Sequence, residues 1–377
     1  MHPYNNTSYI IMGTGVEAER LFYSMGEKRK NIICVMDNYK RGNFHGFRIC
    51  SINEAKKHFR KALILISSLK YYKEMKKQLL TMGLEEFVDF VKGGCVGKQI
   101  VYINANCYAQ AYGRLLSSNY EFNERFYVYY DIPLCDQEPD VETIIHNCDV
   151  CLTQDVRNNS KYGKKVSLEW HKKNIRQGCR LFVVPNLVGF GKVIFPQCID
   201  NDEKNSCAYD ALPYGVFPFA DAYVDAQVRL GNDKRQIINT IINGEPLSSY
   251  EILNGYKRTF EEFRKREESW DIKIIDYIEH NIKTSKVMLD LRHPSSDVLK
   301  RIVSDILLKL DCKNNDISID YDMNQYEIPI YPQVARTLGL RFEDKVRSSL
   351  LLSEESRIDI STYIQQYLYW CFERNRL

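Results

Sequence analysis

Asp290-Leu291-Arg292-His293-Pro294-Ser295 places a carboxylate three residues before an imidazole. At that spacing the carboxylate can orient the ring, and the ring can take a proton from a hydroxyl as general base. Pro294 and Ser295 are also good helix-start residues, so the segment reads equally as a cap carrying an incidental histidine. The second reactive group is a thiol. In Asn104-Ala105-Asn106-Cys107-Tyr108, Cys107 stands between the apolar run IVYIN and a helical pattern. A helix N-terminus beyond the carboxyl end of a strand favours a thiolate, and open α/β sheets place reactive groups there. The competing reading is a buried structural cysteine, the usual fate of a free thiol.

Three further constellations could bind ligands. The loop Gln154 to Lys165 holds Arg157, Lys161, Lys164 and Lys165, with no acid from Arg157 onward. Such a loop suits phosphates, or is simply solvated. Asn186, in Val184-Pro185-Asn186-Leu187-Val188-Gly189-Phe190-Gly191, could donate to an oxyanion or cap a turn. Gly13-Thr14-Gly15 follows the first apolar run, and Asp37 ends the next one, 22 residues after Gly15. That is the spacing of a phosphate-cradling turn with a ribose-binding acid. The same glycines also serve plain strand–helix packing. Cys148 and Cys151 form a lone CxxC inside a strand pattern and read as packing, since a metal site needs a full ligand set.

The elements that must position these groups alternate. Strand patterns at Tyr9–Met12, Asn31–Met36, Ala62–Ile66 and Glu86–Val91 enclose helical patterns at Val16–Met25 and Tyr71–Met82. Such alternation predicts a parallel sheet with right-handed crossovers. Lys92–Lys98 holds three glycines in seven residues and marks a domain boundary. A second series follows. Its strands are at Gln99–Ala105, Arg125–Asp131, Asp149–Thr153 and Arg180–Pro185, and its helices at Tyr108–Leu116, Val141–Asn147 and Val166–Arg176. Residues 187–219 read as an aromatic, Gly- and Pro-rich loop. Helical spacing then prevails from Asp221 to about Asn281, at Ser295–Leu310 and at Ile358–Glu373.

Composition narrows the classes. The 377 residues carry 52 Lys+Arg against 49 Asp+Glu, a net charge of +3. That surplus is too small to argue for nucleic acid, and the 26 tyrosines are spread along the chain. No apolar run reaches the roughly 18 residues of a membrane span, and the start lacks the basic and apolar regions of a secretory signal. Twelve scattered cysteines are expected as free thiols in a reducing, bacterial cytoplasm. Self-association into a homo-oligomer is left open.

Two resemblances add to this reading. YIIMGTGVEAERLF, VMDNYKRGNFHGFRI and SSLKYYKEMKKQLLTMG are similar to the small Rossmann-like domains fused to bacterial polysaccharide-modifying enzymes. This implies a nucleotide-binding-type domain over residues 1–95, with a nucleotide or nucleotide-sugar as its ligand through Gly13, Gly15 and Asp37. INANCYAQAYGRLL, LTQDVRNN, FVVPNLVGFGKVIFPQ, LRHPSSDVLKRIV and EIPIYPQVARTLGL occur in the order seen in the WcbI family of capsular polysaccharide biosynthesis enzymes. DxxHP is moreover the form of the last block of SGNH esterases and acetyltransferases, with Cys107 where those proteins carry serine. Tyr108 stands where the WcbI family has Gln.

The resemblance implies an SGNH-like α/β domain over residues 99–377 with a large helical C-terminal part. It implies a coenzyme A-binding enzyme that transfers acetyl from acetyl-CoA to a saccharide or nucleotide-sugar acceptor. Cys107, His293, Asp290 and Asn186 would be catalytic. Gln154, Arg157, Lys161, Lys164 and Lys165 would hold the cofactor. Two other classes remain: an SGNH-like carbohydrate esterase, active on aryl acetates without coenzyme A, and a non-catalytic nucleotide- and glycan-binding protein.

Overall fold

Tyr9, Ile10, Ile11 and Met12 are all buried in a strand, β1 (Ser8–Met12). Side chains buried on both faces need a layer on each side, which a parallel sheet with helical crossovers provides. The computed structural model describes residues 8–131, 141–158, 160, 163–209, 216–321, 323, 326–347 and 357–372. It divides into two compact units, Met1–Phe182 with Cys312–Asn314, and Val183–Asp311 with Asn315–Leu377. Both sheets with parallel strands are met in the first stretch, and helices dominate the second.

The chain of the first unit runs β1, α1 (Val16–Ser24), β2 (Ile32–Met36), β3 (Gly42–Phe44), β4 (Phe47–Cys50), α2 (Ile52–Ala55), β5 (Ala62–Ile66), α3 (Tyr72–Thr81) and β6 (Phe90–Lys92). The sheet order is β3-β4-β2-β1-β5-β6. All pairs are parallel except β3 on β4, which turn through His45 and Gly46, both at positive φ. Two successive positive-φ residues give the hairpin turn whose twist matches its strands. The stretch Glu86–Val91, expected as a strand, is mostly a turn ahead of the shorter β6. The Asp89 carboxylate accepts the Glu85 N–H at 2.9 Å, and Phe87 takes a φ of 66°.

A second sheet follows: β7 (Gln99–Asn104), α4 (Tyr108–Ser118), α5 (Tyr120–Arg125), β8 (Phe126–Tyr130), α6 (Val141–Ile145), β9 (Val150–Thr153), α7 (Leu168–Asn174) and β10 (Arg180–Val183), in the order β10-β9-β7-β8. β7 is parallel to both β8 and β9, so the carboxyl ends of the three share one edge. The Lys92–Lys98 segment lies inside the first unit rather than at its border. One apolar cluster runs from Tyr9, Phe22 and Leu65 to Tyr102, Tyr129 and Cys148, through both sheets. Close approach explains two of the glycines: a Cβ on Gly93 would overlap Leu21, and one on Gly94 would overlap Tyr127.

The second unit holds β11 (Cys198–Asp200) paired antiparallel with β12 (Phe219–Asp221), then α8 (Ala222–Arg229), α9 (Lys234–Asn243), α10 (Ser249–Glu267), α11 (Ile275–Asn281), α12 (Ser296–Lys309), α13 (Pro332–Leu338), a two-residue pair β13 (Val346–Arg347) and β14 (Arg357–Ile358), and α14 (Ile360–Phe372). β11 and a 3-10 turn at Phe190–Val193 interrupt the expected long loop. Among the described residues no helix is long and apolar enough to cross a membrane.

Candidate active site

Cys107 caps the N-terminus of α4, three residues past the end of β7, with helical backbone angles. It is partly exposed. The turn that presents it is held by amides. Gln154, buried at 1% exposure, accepts the Asn106 N–H at 3.0 Å and donates to Asn106 Oδ1 at 3.4 Å. Asn106 Oδ1 in turn accepts the Tyr108 N–H at 3.0 Å, satisfying one of the orphan donors of α4. Below it, buried Asn104 donates to Thr153 Oγ1 at 2.8 Å and to the Val166 carbonyl at 2.9 Å. Gln154, expected to help hold the cofactor, uses its amide to clasp the turn carrying the thiol.

The acid–base pair sits in the second unit. The Asp290 side chain is fully buried, and its Oδ2 lies 2.7 Å from His293 Nδ1. Asp290 Oδ1 accepts the N–H groups of Arg292 at 2.7 Å and His293 at 2.8 Å. The carboxylate thus fixes both the backbone turn and the ring. The turn is closed further by Leu289 N–H to the His293 carbonyl at 2.8 Å and Ser295 N–H to the Val287 carbonyl at 3.0 Å. The His293 side chain keeps 17% exposure, so the ring is anchored from within and reachable from without. α12 starts after Ser295, whose side chain makes no cap hydrogen bond.

The Asn186 segment packs against this turn. Gly189 donates to the Leu291 carbonyl at 2.8 Å, and a Cβ on Gly191 would overlap the backbone of Asp290 and Leu291. Gly191 is therefore fixed by the approach of the acid–base turn, a reason that no local pattern reveals. Asn186 Oδ1 accepts the Val188 N–H at 3.2 Å, the turn-capping arrangement, and its carbonyl accepts from Arg266 at 2.7 Å.

In the basic loop, Arg157, Lys164 and Lys165 are exposed, and Lys161 lies outside the described residues. Lys165 pairs with Glu142 at 2.7 Å. At the carboxyl ends of β1, β2 and β5, a cleft of about 740 Å³ is lined by Gly13, Thr14, Gly15, Asp37, Ser67 and Tyr71 among others. Gly13 is at φ 103° and spends its N–H on the Met36 carbonyl at 2.8 Å. Asp37 accepts from Thr14 Oγ1 at 2.7 Å and from the N–H groups of Tyr39 and Lys40 at 2.9 Å each. Although burial opposes it, these donors hold the Asp37 carboxyl below its usual range. The acid expected at a ribose is already engaged by its own chain.

The Cys148 and Cys151 thiols are buried in the core of the first unit, and burial pushes Cys151 well above the usual range. Cys148 Sγ lies 3.7 Å from Cys179 Sγ, a neighbour that the spacing did not reveal.

Residues 100–315 match a protein-family model described as polysaccharide biosynthesis enzyme WcbI. Residues 5–87 match a family described as C2185-like, N-terminal. A solved structure of WcbI, described as a novel polysaccharide biosynthesis enzyme, superposes with a TM-score of 0.58 at 16% identity over 73% of this chain and 90% of that one. Its description refers to the native protein without a disulfide bond between coenzyme A and one of its cysteines. At that identity the likeness bears on the fold. No curated protein matches the chain.

Proposed function

The chain belongs to the WcbI family of polysaccharide biosynthesis enzymes, and from that premise we propose that it is an acetyl-CoA-dependent O-acetyltransferase acting on a saccharide of a capsule or exopolysaccharide. The observation that carries the proposal is the buried Asp290 carboxylate holding Nδ1 of a partly exposed His293. With Nδ1 committed as donor to Asp290, Nε2 is left as the basic atom. It takes the proton of the acceptor hydroxyl as that oxygen bonds to the acetyl carbon, and returns it to the thiolate leaving that carbon, which is Cys107 from an acetylated enzyme or coenzyme A in direct attack. Bound acetyl-CoA supplies the activated acetyl thioester. Cys107, reachable at the head of α4 and held by the Gln154–Asn106 clasp, is the group to receive the acetyl as a thioester first: its sulfur bonds to the acetyl carbon as the bond to the coenzyme A sulfur breaks, and its proton passes to the departing coenzyme A thiolate. Direct attack by the hydroxyl is the alternative route.

Arg157, Lys161, Lys164 and Lys165 are the residues proposed for the coenzyme A phosphates. Their fit rests on charge: the described members are exposed cations, and Glu142 beside Lys165 can be exchanged for a phosphate. Residues 1–95 are read as a Rossmann-like module and residues 99–377 as the SGNH-like acyltransferase module, a division supported by the two separate family matches. A nucleotide in the N-terminal cleft would meet Gly13, Gly15 and Asp37, whose carboxylate lines the cleft and keeps acceptor capacity beside its bonds to Thr14, Tyr39 and Lys40. Calorimetry of the full chain with coenzyme A tests the reading. Binding that weakens as salt rises is expected. No heat and no thermal shift at millimolar coenzyme A would sink it.

A further inference from the structure

Besides the N-terminal cleft, the first unit holds another concavity of about 740 Å³. One wall is α3 and β6, from the segment that matches the N-terminal family or directly follows it; the other is α4 and β8, from the segment that matches WcbI. The cleft is therefore composite, and neither segment forms it alone.

Its chemistry is one-sided. Lys73, Lys76 and Lys77 of α3, Lys92 of β6 and Arg114 of α4 all line it, and among the described residues Asp131 is the sole acid on the lining. Behind the wall, buried Glu86 takes up Lys76 and accepts from the hydroxyls of Tyr72, Tyr129 at 2.8 Å and Tyr130 at 3.1 Å. Lys92 Nζ sits over the rings of Tyr72, Tyr129 and Tyr130, 4.9, 4.8 and 4.5 Å from their centroids. Such cation–π contacts hold a positive charge in place without cancelling it. Burial pushes the Lys92 amine down to about 8, with Asp131 and Glu86 opposing, so it stays mostly charged at neutral pH and an anion placed there would raise it further. Lys73, Lys77 and Arg114 are exposed at the rim.

The cleft also lies along a path from the thiol. Arg114 is seven residues after Cys107 on α4, which returns it to the same helix face about 10 Å further along the axis. Gln110 and Ser117 are exposed on that face as well.

We infer that this cleft binds the anionic groups, carboxylate or phosphate, of the saccharide that the enzyme modifies, so that an acidic glycan is held along α4 with a neighbouring sugar at Cys107. The substrate class is thus an anionic rather than a neutral saccharide; this rests on the acyltransferase reading. Tyrosine rings and lysine stems offer apolar faces to sugar rings, while the rim cations meet the charges. An anion would add to Asp131 and Glu86 in offsetting the five cations gathered around one concavity.

The test is calorimetry on the full chain with hexameric oligogalacturonate, with neutral maltohexaose, and with inorganic pyrophosphate. Oligogalacturonate should bind, and weaken severalfold between low and physiological salt; maltohexaose should not bind measurably. Pyrophosphate competing with oligogalacturonate would identify phosphate as an accepted charge. The triple variant Lys73→Ala, Lys77→Ala, Arg114→Ala should bind oligogalacturonate at least tenfold more weakly. All three residues are exposed, so the fold should survive, and coenzyme A affinity should stay at the wild-type value. Equal binding of the neutral hexamer, unchanged affinity in the triple variant, or binding of pyrophosphate without oligogalacturonate would overturn the inference. Lost coenzyme A binding in the wild type would instead strike the acyltransferase reading.

Discussion

Asp290→Asn perturbs one atom of the acid–base turn. The Oδ1 of the substituted amide would still accept the N–H groups of Arg292 and His293, which lie 2.7 and 2.8 Å from the carboxylate oxygen of Asp290. The other position changes from an acceptor to an NH₂ donor facing Nδ1, which is 2.7 Å from Oδ2 in the wild type. Nδ1 must then accept, the ring proton moves to Nε2, and the atom required as base is blocked. Removing general-base help costs ~10²–10⁴-fold in kcat, equivalent to about 3–5 kcal/mol on the barrier. Stability should change far less, by about 1 kcal/mol, because the turn keeps its cap and one buried charge disappears. The assay is release of the coenzyme A thiol in the presence of saccharide acceptor, with melting temperature measured beside it. A kcat within threefold of wild type in a folded Asp290→Asn protein would refute the orienting role.

Gln154→Ala leaves the Asn106 N–H without its buried acceptor and should cost about 1–3 kcal/mol in denaturant unfolding; an unchanged midpoint would mean that water replaces the clasp. Burial pushes His171 down to about 4, below its unfolded value, so its stabilising share is complete above about pH 6.5 and lost as pH falls toward 4. Between pH 7 and 4.5, wild type should lose about 2–3 kcal/mol more than His171→Phe. The difference between the two proteins isolates His171 from Asp221, which burial raises to about 7 and which acts in the opposite direction. Iodoacetamide at neutral pH should modify Cys107, which is partly exposed, and Cys179, which the Cys148 hydrogen bond holds below the usual thiol range. Cys34 and Cys95, pushed by burial to about 11 and about 12, should lag. Peptide mapping that finds the buried thiols labelled first would contradict this.

Much of the local geometry of the candidate site was legible because it is set within a few residues. The i, i+3 spacing of Asp290 and His293 lies within one turn, and the junction of β7 and α4 at Cys107 follows from an apolar run meeting helical spacing. What depended on distant chain did not show. Gln154 stands in a polar loop, and its burial against an amide 48 residues earlier has no local signal. The glycine at 191 is explained by a backbone about 100 residues away. Glu86 read as part of a strand because apolar neighbours surround it; its burial is permitted by tyrosines that come from α3 and β8. The β3–β4 hairpin was too short to show alternation, although the His45-Gly46 turn between Phe44 and Phe47 was its one available signal.

Acetyl transfer with His293 as base is tested by comparing wild type with His293→Ala. Each is incubated with acetyl-CoA and a saccharide acceptor while free coenzyme A thiol is followed and coenzyme A affinity is measured in parallel. Acceptor-dependent thiol release by wild type, its loss in the variant, and nearly equal affinities are expected, since a base acts on the transition state more than on the bound cofactor. Wild-type turnover in His293→Ala would contradict that role.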